Sequence, residues 1–361
     1  MRQFLNRFFL KKKNSFKLLH ICYHEGCVGE LEAIAQTLGI DLVSWNVHRL
    51  RPYFFDPEAQ GGNLLYNLGR ERAQRIWKKH CHFFNRFDAI ITSDITAVSR
   101  IFLENGWTKP LILWISSRFD WSFHGETDCD FPDQAYYELL RLAKSFPNVR
   151  FVPSTPFEIC YAKQKGVDLS GPVIAACAYS LYRHKNSWPS DPVKNQQLFI
   201  HQRTEEVQLH HMPSFRISEF LQKRGVPAVC YRYKTLTELQ VFKGVLYLPY
   251  QWYIISFFEV LRLGVPIYVP SQAFLLELLK TMNYYFENRE FALEGGLLPI
   301  AEWYAPPVQE IVTYFDSWKD LKIKLAETNS FAIRQKSIAY ALEHQEKMLG
   351  KWRDVFQSIS V

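Results

Sequence analysis

The sequence predicts an α/β protein of two domains, each built on a parallel sheet. Apolar runs of strand length alternate with stretches of helix length along both halves. The chain has 361 residues, of which 48% are hydrophobic and 22% charged, enough for two packed domains of about 150 residues each. A polar, proline-containing stretch at 178–195 interrupts the pattern and reads as a linker.

The first half contains five apolar runs that read as strands. They are KLLHICYH, IDLVSW, FDAIITSD, KPLILWISS and NVRFVPST. The segments between them read as helices, and Gly39, Gly106 and Gly166 stop three of these helices. EGCVG, after the first strand, reads as a polar loop. Strands separated by helices predict parallel pairing, because a parallel neighbour requires a crossover connection.

The second half repeats this alternation. QLFIHQ and PAVCY read as strands, FRISEFLQKRG and TLTELQVFKG read as helices, and a long helix is predicted from Phe331 to Phe356. The expected organisation is an N-terminal domain at 1–177, a linker at 178–195 and a second domain at 196–330. The helix at 331–361 is expected to pack back on the N-terminal domain.

Composition narrows the class of function. The net charge of +7 and the pI near 8.9 favour anionic ligands, but the charge is scattered and no nucleic-acid motif is present. The seven cysteines form no CxxC pair, which indicates free thiols in a reducing compartment. We expect a cytoplasmic monomer without a signal peptide. The basic, apolar N-terminus leaves peripheral membrane contact open.

The segment from Lys243 to Glu277 is the most informative part of the chain. It reads as strand, polar loop, helix, strand, loop and helix. Glu259 is the one acid on the first helix, whose early turns also carry Ile255 and Ser256. A carboxylate there can accept hydrogen bonds from two ribose hydroxyls, and the helix N-terminal amides can hold phosphate. The segment therefore predicts a nucleotide site.

Two α/β halves with this segment in the second half resemble the GT-B glycosyltransferases. Glu259 and the run from Gly264 to Ile267 match the donor-binding signature of that family. The resemblance implies two Rossmann-like domains facing across a cleft, with the donor held by the second domain and no catalytic metal. SSRFDW, PSTPFE and the C-terminal tail also look like glycosyltransferases of large algal DNA viruses.

The resemblance implies an enzyme that moves a sugar from a UDP- or GDP-sugar to a hydroxyl of a glycan, glycolipid or glycoprotein. Retaining members carry two glutamates separated by seven residues, and here Gln251 stands in place of the first. An amide cannot carry the charge of a carboxylate, so the departure favours inversion. No cofactor is expected.

Several side chains are candidates for holding the donor. Arg203 is the first choice for the diphosphate, and its alternative is a surface pair with Glu205 or Glu206. The remaining candidates are Tyr231, Arg232, Tyr250, Gln251, Ile255, Ser256 and Glu259.

The catalytic base is expected in the first domain, at the strand ends. The candidates are His24, Glu25, Asp94 and Asp120. Asp94 has an alternative role as a helix N-cap, and Asp120 has one as the partner of Arg118 in a loop-fixing ion pair. Arg118 is also a candidate for the acceptor side.

Asp128 and Asp130 form a DxD pair that suits a metal in the other glycosyltransferase fold, GT-A. No strand precedes them, so we interpret the pair as an acceptor-facing acidic loop. Three rival functions stay open: a nucleotide-sugar epimerase on the same fold, a non-catalytic two-domain binding protein, and a GT-A transferase.

Overall fold

The computed structural model of the protein describes residues 16–46, 68–120, 134–181, 195–201, 217–281 and 286–359. All structural statements below concern these residues. Within them, no helix has both the length and the hydropathy that crossing a membrane requires.

The first sheet has five parallel strands. They are β1 (Lys17–Cys22), β2 (Asp41–Asn46), β3 (Ala89–Ser93), β4 (Leu111–Ile115) and β5 (Val149–Pro153). Their order is β2-β1-β3-β4-β5. Every residue of β3 and β4 is buried, as expected for the inner strands of a parallel sheet. The helices that follow the strands are α1 (Glu25–Leu38), α2 (Arg70–Phe84), α3 (Arg100–Leu103), α4 (Gln134–Ala143) and α5 (Pro156–Gln164).

The second sheet also has five parallel strands. They are β6 (Asn195–His201), β7 (Ala228–Tyr231), β8 (Phe242–Leu246), β9 (Ile267–Pro270) and β10 (Val312–Phe315). Their order is β10-β9-β8-β6-β7. The helices of this half are α6 (Ile217–Gln222), α7 (Ile255–Arg262), α8 (Gln272–Thr281), α9 (Arg289–Leu293), α10 (Trp318–Glu327) and α11 (Ser330–Gln357).

The two sheets share one topology. Counted from the first strand of each half, both have the order 2-1-3-4-5. Connections therefore leave in opposite directions from the first and third strands, which makes β1/β3 and β6/β8 the switch points. Ligands of open α/β sheets bind outside the carboxyl ends of the strands at such points.

The described residues form two compact units. The first unit contains the described residues of Met1–Ser154, Glu158–Ala175 and Leu349–Val361. The second unit contains the described residues of Thr155–Phe157 and Ala176–Met348. Inside the first unit, Trp352 of α11 is buried and meets Trp114 of β4 edge to face, with ring centroids 5.3 Å apart. The predicted domain boundaries stay a prediction.

The predicted fold class is confirmed: two parallel-sheet α/β domains, with a long C-terminal helix. Three details differ from the prediction. TLTELQVFKG does not form one α-helix, because Leu236–Val241 is a 3-10 helix and β8 begins at Phe242. EGCVG is not a loop, because α1 begins at Glu25 and includes all five residues. No strand was predicted at Val312–Phe315, which completes the second sheet as its edge strand β10.

Candidate functional site

The loop between β8 and α7 lies at the switch point of the second sheet, and backbone hydrogen bonds hold it in place. Trp303 Nε1 donates to the carbonyl of Gln251 at 2.9 Å, and Trp252 Nε1 donates to the carbonyl of Glu287 at 2.9 Å. The amide of Glu287 in turn donates to the carbonyl of Tyr250 at 2.8 Å. The side chains of Tyr250 and Gln251 are half-buried. Both predicted donor residues therefore stand on a fixed backbone.

An aromatic stack supports the same loop from within the second unit. The rings of Trp252 and Phe157 lie 3.9 Å apart at an angle of 7°, and both side chains are buried. Stacked aromatic pairs contribute about 0.5–1.5 kcal/mol beyond their buried area.

Helix α7 leaves one face accessible. Phe257, Phe258, Val260 and Leu261 are buried, whereas Ile255, Ser256 and Glu259 are half-buried. Positions four apart on a helix share a face, so Ile255 and Glu259 lie together. The predicted grouping of Ile255, Ser256 and Glu259 is thus present in the structure.

The start of α7 is fixed by two residues that sequence reasoning missed. Tyr247, directly after β8, donates its hydroxyl to the carbonyl of Ser256 at 3.0 Å. The amide of Ile254, the N-cap residue, donates to Glu302 Oε2 at 3.1 Å. Glu302 lies 48 positions from Ile254 in sequence, so no local motif signalled this contact.

The carboxyl group of Glu259 belongs to the half-buried face of α7. Within the described part of the chain, no side chain or amide donates a hydrogen bond to its oxygens. Burial raises the pKa of this carboxyl. A half-buried carboxylate gains most from donors that arrive with a ligand, because its own hydration is reduced.

The remaining donor candidates lie at the edge of the sheet or outside the described residues. Tyr231 ends the edge strand β7; it is 38% exposed and meets Phe199 edge to face at 5.0 Å. Arg232 follows it and is exposed. Arg203 lies outside the described residues, two positions after β6 ends at the switch point.

In the first unit, His24 is the N-cap of α1. Its Nδ1 accepts a hydrogen bond from the amide of Gly26 at 3.1 Å, and Glu25 is an exposed acid of the first helical turn. Because an amide can only donate, Nδ1 carries no proton here, and a neutral ring then has its proton on Nε2. In this arrangement His24 offers a donor rather than a base.

Asp94 follows β3 at the switch point of the first sheet. Its φ is 66°, a left-handed conformation that is uncommon for residues other than glycine. The side chain is only 8% exposed, and burial, together with the charge of Cys22, raises the pKa of its carboxyl well above the usual range. The N-cap of the following short helix is Ile95, so the predicted capping role of Asp94 is wrong.

Asp120 has a different environment from Asp94. Tyr137 donates its hydroxyl to Asp120 Oδ2 at 2.5 Å, and Tyr161 donates to Oδ1 at 2.9 Å. The carboxylate is buried, and its charge, after burial itself, raises the pKa of both tyrosines. This geometry favours a structural role that fixes the loop after β4. Arg118, nearby in that loop, is half-buried, and Asp128 lies outside the described residues.

No group of three or more histidine, cysteine or acidic side chains suited to a metal ion occurs among the residues that the structure describes. The pair of Asp128 and Asp130 lies outside them.

Comparisons with known proteins agree with the fold. Neither protein-family models nor curated proteins give a match. Among solved structures, HepE from Anabaena, in complex with UDP and glucose, has a TM-score of 0.50 at 12% identity. The match covers 96% of this chain and 100% of that one.

Two further solved structures match at lower scores. UGT89C1 from Arabidopsis thaliana, complexed with UDP-L-rhamnose, has a TM-score of 0.48 at 13% identity over 94% of this chain and 98% of that one. A putative UDP-N-acetylglucosamine 2-epimerase from Listeria monocytogenes has a TM-score of 0.46 at 10% identity. That match covers 95% of this chain and 97% of the other. At these identities the HepE match supports the fold class alone.

Proposed function

We propose that this protein is a glycosyltransferase that moves a sugar from a UDP- or GDP-sugar to a hydroxyl of a glycan, glycolipid or glycoprotein. The observation that carries the proposal is Glu259. Its half-buried carboxyl lies on the accessible face of the helix that follows the switch-point strand β8. HepE, which shares the fold, was solved with UDP and glucose.

The donor nucleotide would lie along the accessible face of α7. Glu259 accepts hydrogen bonds from two ribose hydroxyls, each worth about 1.5–3 kcal/mol for a charged acceptor. The amides of Ile255 and Ser256, at the positive end of the helix, face the diphosphate. Arg203 contributes a positive charge to the diphosphate site. Tyr231 and Arg232 flank the nucleobase at the edge of the sheet.

Asp94 is the base in this proposal. Proton transfer in the transition state is most efficient when the pKa of the base lies near the working pH, and Asp94 is the candidate whose environment raises it. The strained backbone of Asp94 supports the assignment, since such strain clusters at functional positions. The tyrosine contacts of Asp120 and the tautomer of His24 argue against those two residues.

We further propose inversion without a metal. Gln251 offers an uncharged amide where retaining GT-B enzymes carry a glutamate, so inversion fits the site better. Product stereochemistry tests inversion, and activity that persists in EDTA tests metal independence. Loss of activity in EDTA would favour the DxD pair.

Titration of UDP and GDP into the protein tests the site. We expect Glu259→Ala to weaken binding at least about 100-fold, because two charged hydrogen bonds of about 1.5–3 kcal/mol each are lost. Glu277→Ala, which removes an exposed acid from α8, serves as the matched control. Absence of binding at millimolar nucleotide, or equal affinities for both variants, would overturn the proposal.

The epimerase alternative predicts a different product pattern, because an epimerase needs no acceptor. Incubation of a UDP-sugar with the protein alone therefore separates the two. Formation of an epimeric UDP-sugar contradicts transfer, whereas slow release of UDP and free sugar agrees with a transferase that uses water as acceptor.

A further inference from the structure

Asp94 has an uncommon backbone conformation, which neighbouring segments must hold in place. Its φ is 66°, in the left-handed region, and it lies one residue beyond the end of β3. A residue other than glycine keeps such a conformation only where the surrounding structure fixes it. The contacts that fix it also decide where the carboxyl group lies, because the direction of the Cα–Cβ bond follows the backbone.

Two serines of the segment after β4 bind the backbone of Asp94 on both sides. Ser116 Oγ accepts a hydrogen bond from the Asp94 amide at 3.0 Å, and the Ser117 hydroxyl donates to the Asp94 carbonyl. β3 and β4 pair in register up to Ser93 and Trp114, so these two contacts begin where the ladder ends. They fix the peptide groups before and after the Asp94 Cα, and therefore restrict both φ and ψ of this residue.

The segment that carries the two serines is itself held at several points. Cys27 of α1 donates from Sγ to Ser116 Oγ at 3.5 Å. Tyr136 of α4 donates its hydroxyl to the carbonyl of Phe119 at 3.2 Å. The two tyrosine hydroxyls that bind the buried carboxylate of Asp120 hold the far end of the segment. The support of Asp94 is therefore anchored to helices on the same unit.

The turn after β3 leaves the Asp94 side chain partly accessible and buries its neighbours. Asp94 is 8% exposed, whereas Ser93 and Ile95 are 0% and 1% exposed. Any change of φ at Asp94 would move the carboxyl, which is the polar group that this turn presents at the switch point of the first sheet. A catalytic group must stay close to its productive geometry, since a displacement of about 1 Å costs on the order of 100-fold in rate.

We propose that Ser116 and Ser117 are positioning residues, which hold Asp94 in its left-handed conformation so that its carboxyl meets the acceptor hydroxyl. This role in transfer rests on the proposed function. The serines act through the backbone of Asp94 and not on the substrate. Their loss therefore affects the catalytic step, and it leaves the binding of the donor nucleotide, which the proposed function assigns to the second unit, as it is.

Amide hydrogen exchange of the full-length protein tests the backbone contact without any activity assay. Ser116→Ala removes the acceptor of the Asp94 amide, so this amide should exchange about 2- to 10-fold faster than in the wild type. Ser145→Ala is the matched control, because Ser145 is an exposed serine of the same unit whose hydroxyl binds the carbonyl of Leu142. Equal exchange of the Asp94 amide in both variants would overturn the contact.

Steady-state kinetics test the positioning role. Ser116→Ala and Ser117→Ala should each lower kcat about 10- to 100-fold, as expected for a misplaced catalytic group. The KM for the donor and the affinity for UDP should stay close to wild type, which separates misplacement from loss of the fold. Ser117→Thr keeps a hydroxyl at this half-buried position and should recover most of kcat.

An unchanged kcat, a fall in kcat that threonine does not reverse, or a matching loss of UDP affinity would overturn the positioning role. If the wild type transfers no sugar, the proposed function fails, while hydrogen exchange still decides whether Ser116 holds the Asp94 backbone.

Discussion

Replacement of Asp94 by asparagine should make the protein more stable at neutral pH, although it removes the proposed base. The folded carboxyl is buried and has a raised pKa, while in the unfolded chain it titrates near 3.9. Between these two values the folded state binds a proton that the unfolded state has released. The wild type therefore loses about 1.4 kcal/mol of unfolding free energy for each pH unit in that window.

The Asp94→Asn variant lacks this loss, because an amide does not titrate. The difference in unfolding free energy between this variant and the wild type should be small near pH 3. It should grow by about 1.4 kcal/mol per pH unit and become constant once the folded wild-type carboxyl ionises. Asparagine also suits the φ of 66° at this position. The same variant should lower kcat about 10²- to 10⁴-fold, as expected for loss of a general base.

Urea denaturation across pH 3–9 measures the effect, with hydrogen exchange of peptides from the first unit as the probe. Asp354→Asn is the control, since Asp354 is an exposed aspartate of the same unit. A difference that is constant with pH, or an asparagine variant that is less stable than wild type at pH 7, would refute the reasoning.

Three further outcomes follow from the packing of the second unit and of α1. Trp252→Ala should cost about 3–5 kcal/mol, and a double-mutant cycle with Phe157→Ala should recover about 1 kcal/mol of coupling for the stack, measured by denaturation. Gly244→Ala should destabilise the fold, because the added Cβ would lie 2.5 Å from the Tyr268 ring. Gly29→Ala on α1 places its Cβ where nothing lies within 4 Å, so it should stabilise the fold by about 0.5–1 kcal/mol. Equal shifts of the thermal midpoint in the two variants would contradict this. Tyr340→Phe should flatten the fall in stability between pH 10 and 12, because burial and the charges of Glu302 and Glu343 raise the pKa of Tyr340 to about 12 and its neutral form is lost above that value.

The order of elements was predictable where the sequence pattern is local. FDAIITSD and KPLILWISS are centred on the apolar runs AII and LILWI, and β3 and β4 occupy them. Gly39 was predicted to stop α1, and it does so in the left-handed conformation with φ of 72°. Such signals act within a few residues, so one sequence suffices to find them.

Other features depend on contacts that sequence does not show. EGCVG looks like a loop because two glycines weaken a helix, yet the His24 cap starts α1 before them. β10 is only four residues long and forms a strand because β9 offers it a free edge. Glu302 reaches Ile254 across 48 positions.

The residues of the candidate site also fall into two groups, those predictable from local sequence and those that depend on distant contacts. Glu259, Ser256 and Ile255 were found together because helical spacing is local. The ranking of Asp94 over Asp120 needed the structure, since burial and the tyrosine hydroxyls on Asp120 come from distant segments.

The return of segment 349–361 to the first unit affects the time course of folding on the ribosome. Trp352 fills a buried place against Trp114, and Lys351 donates to the carbonyl of Val173 at 2.6 Å. The other segments of this unit are all made by Ala175. At about 5–20 residues per second, the nascent unit waits on the order of ten seconds or more for its last piece. During that interval Trp114 lacks its packing partner Trp352.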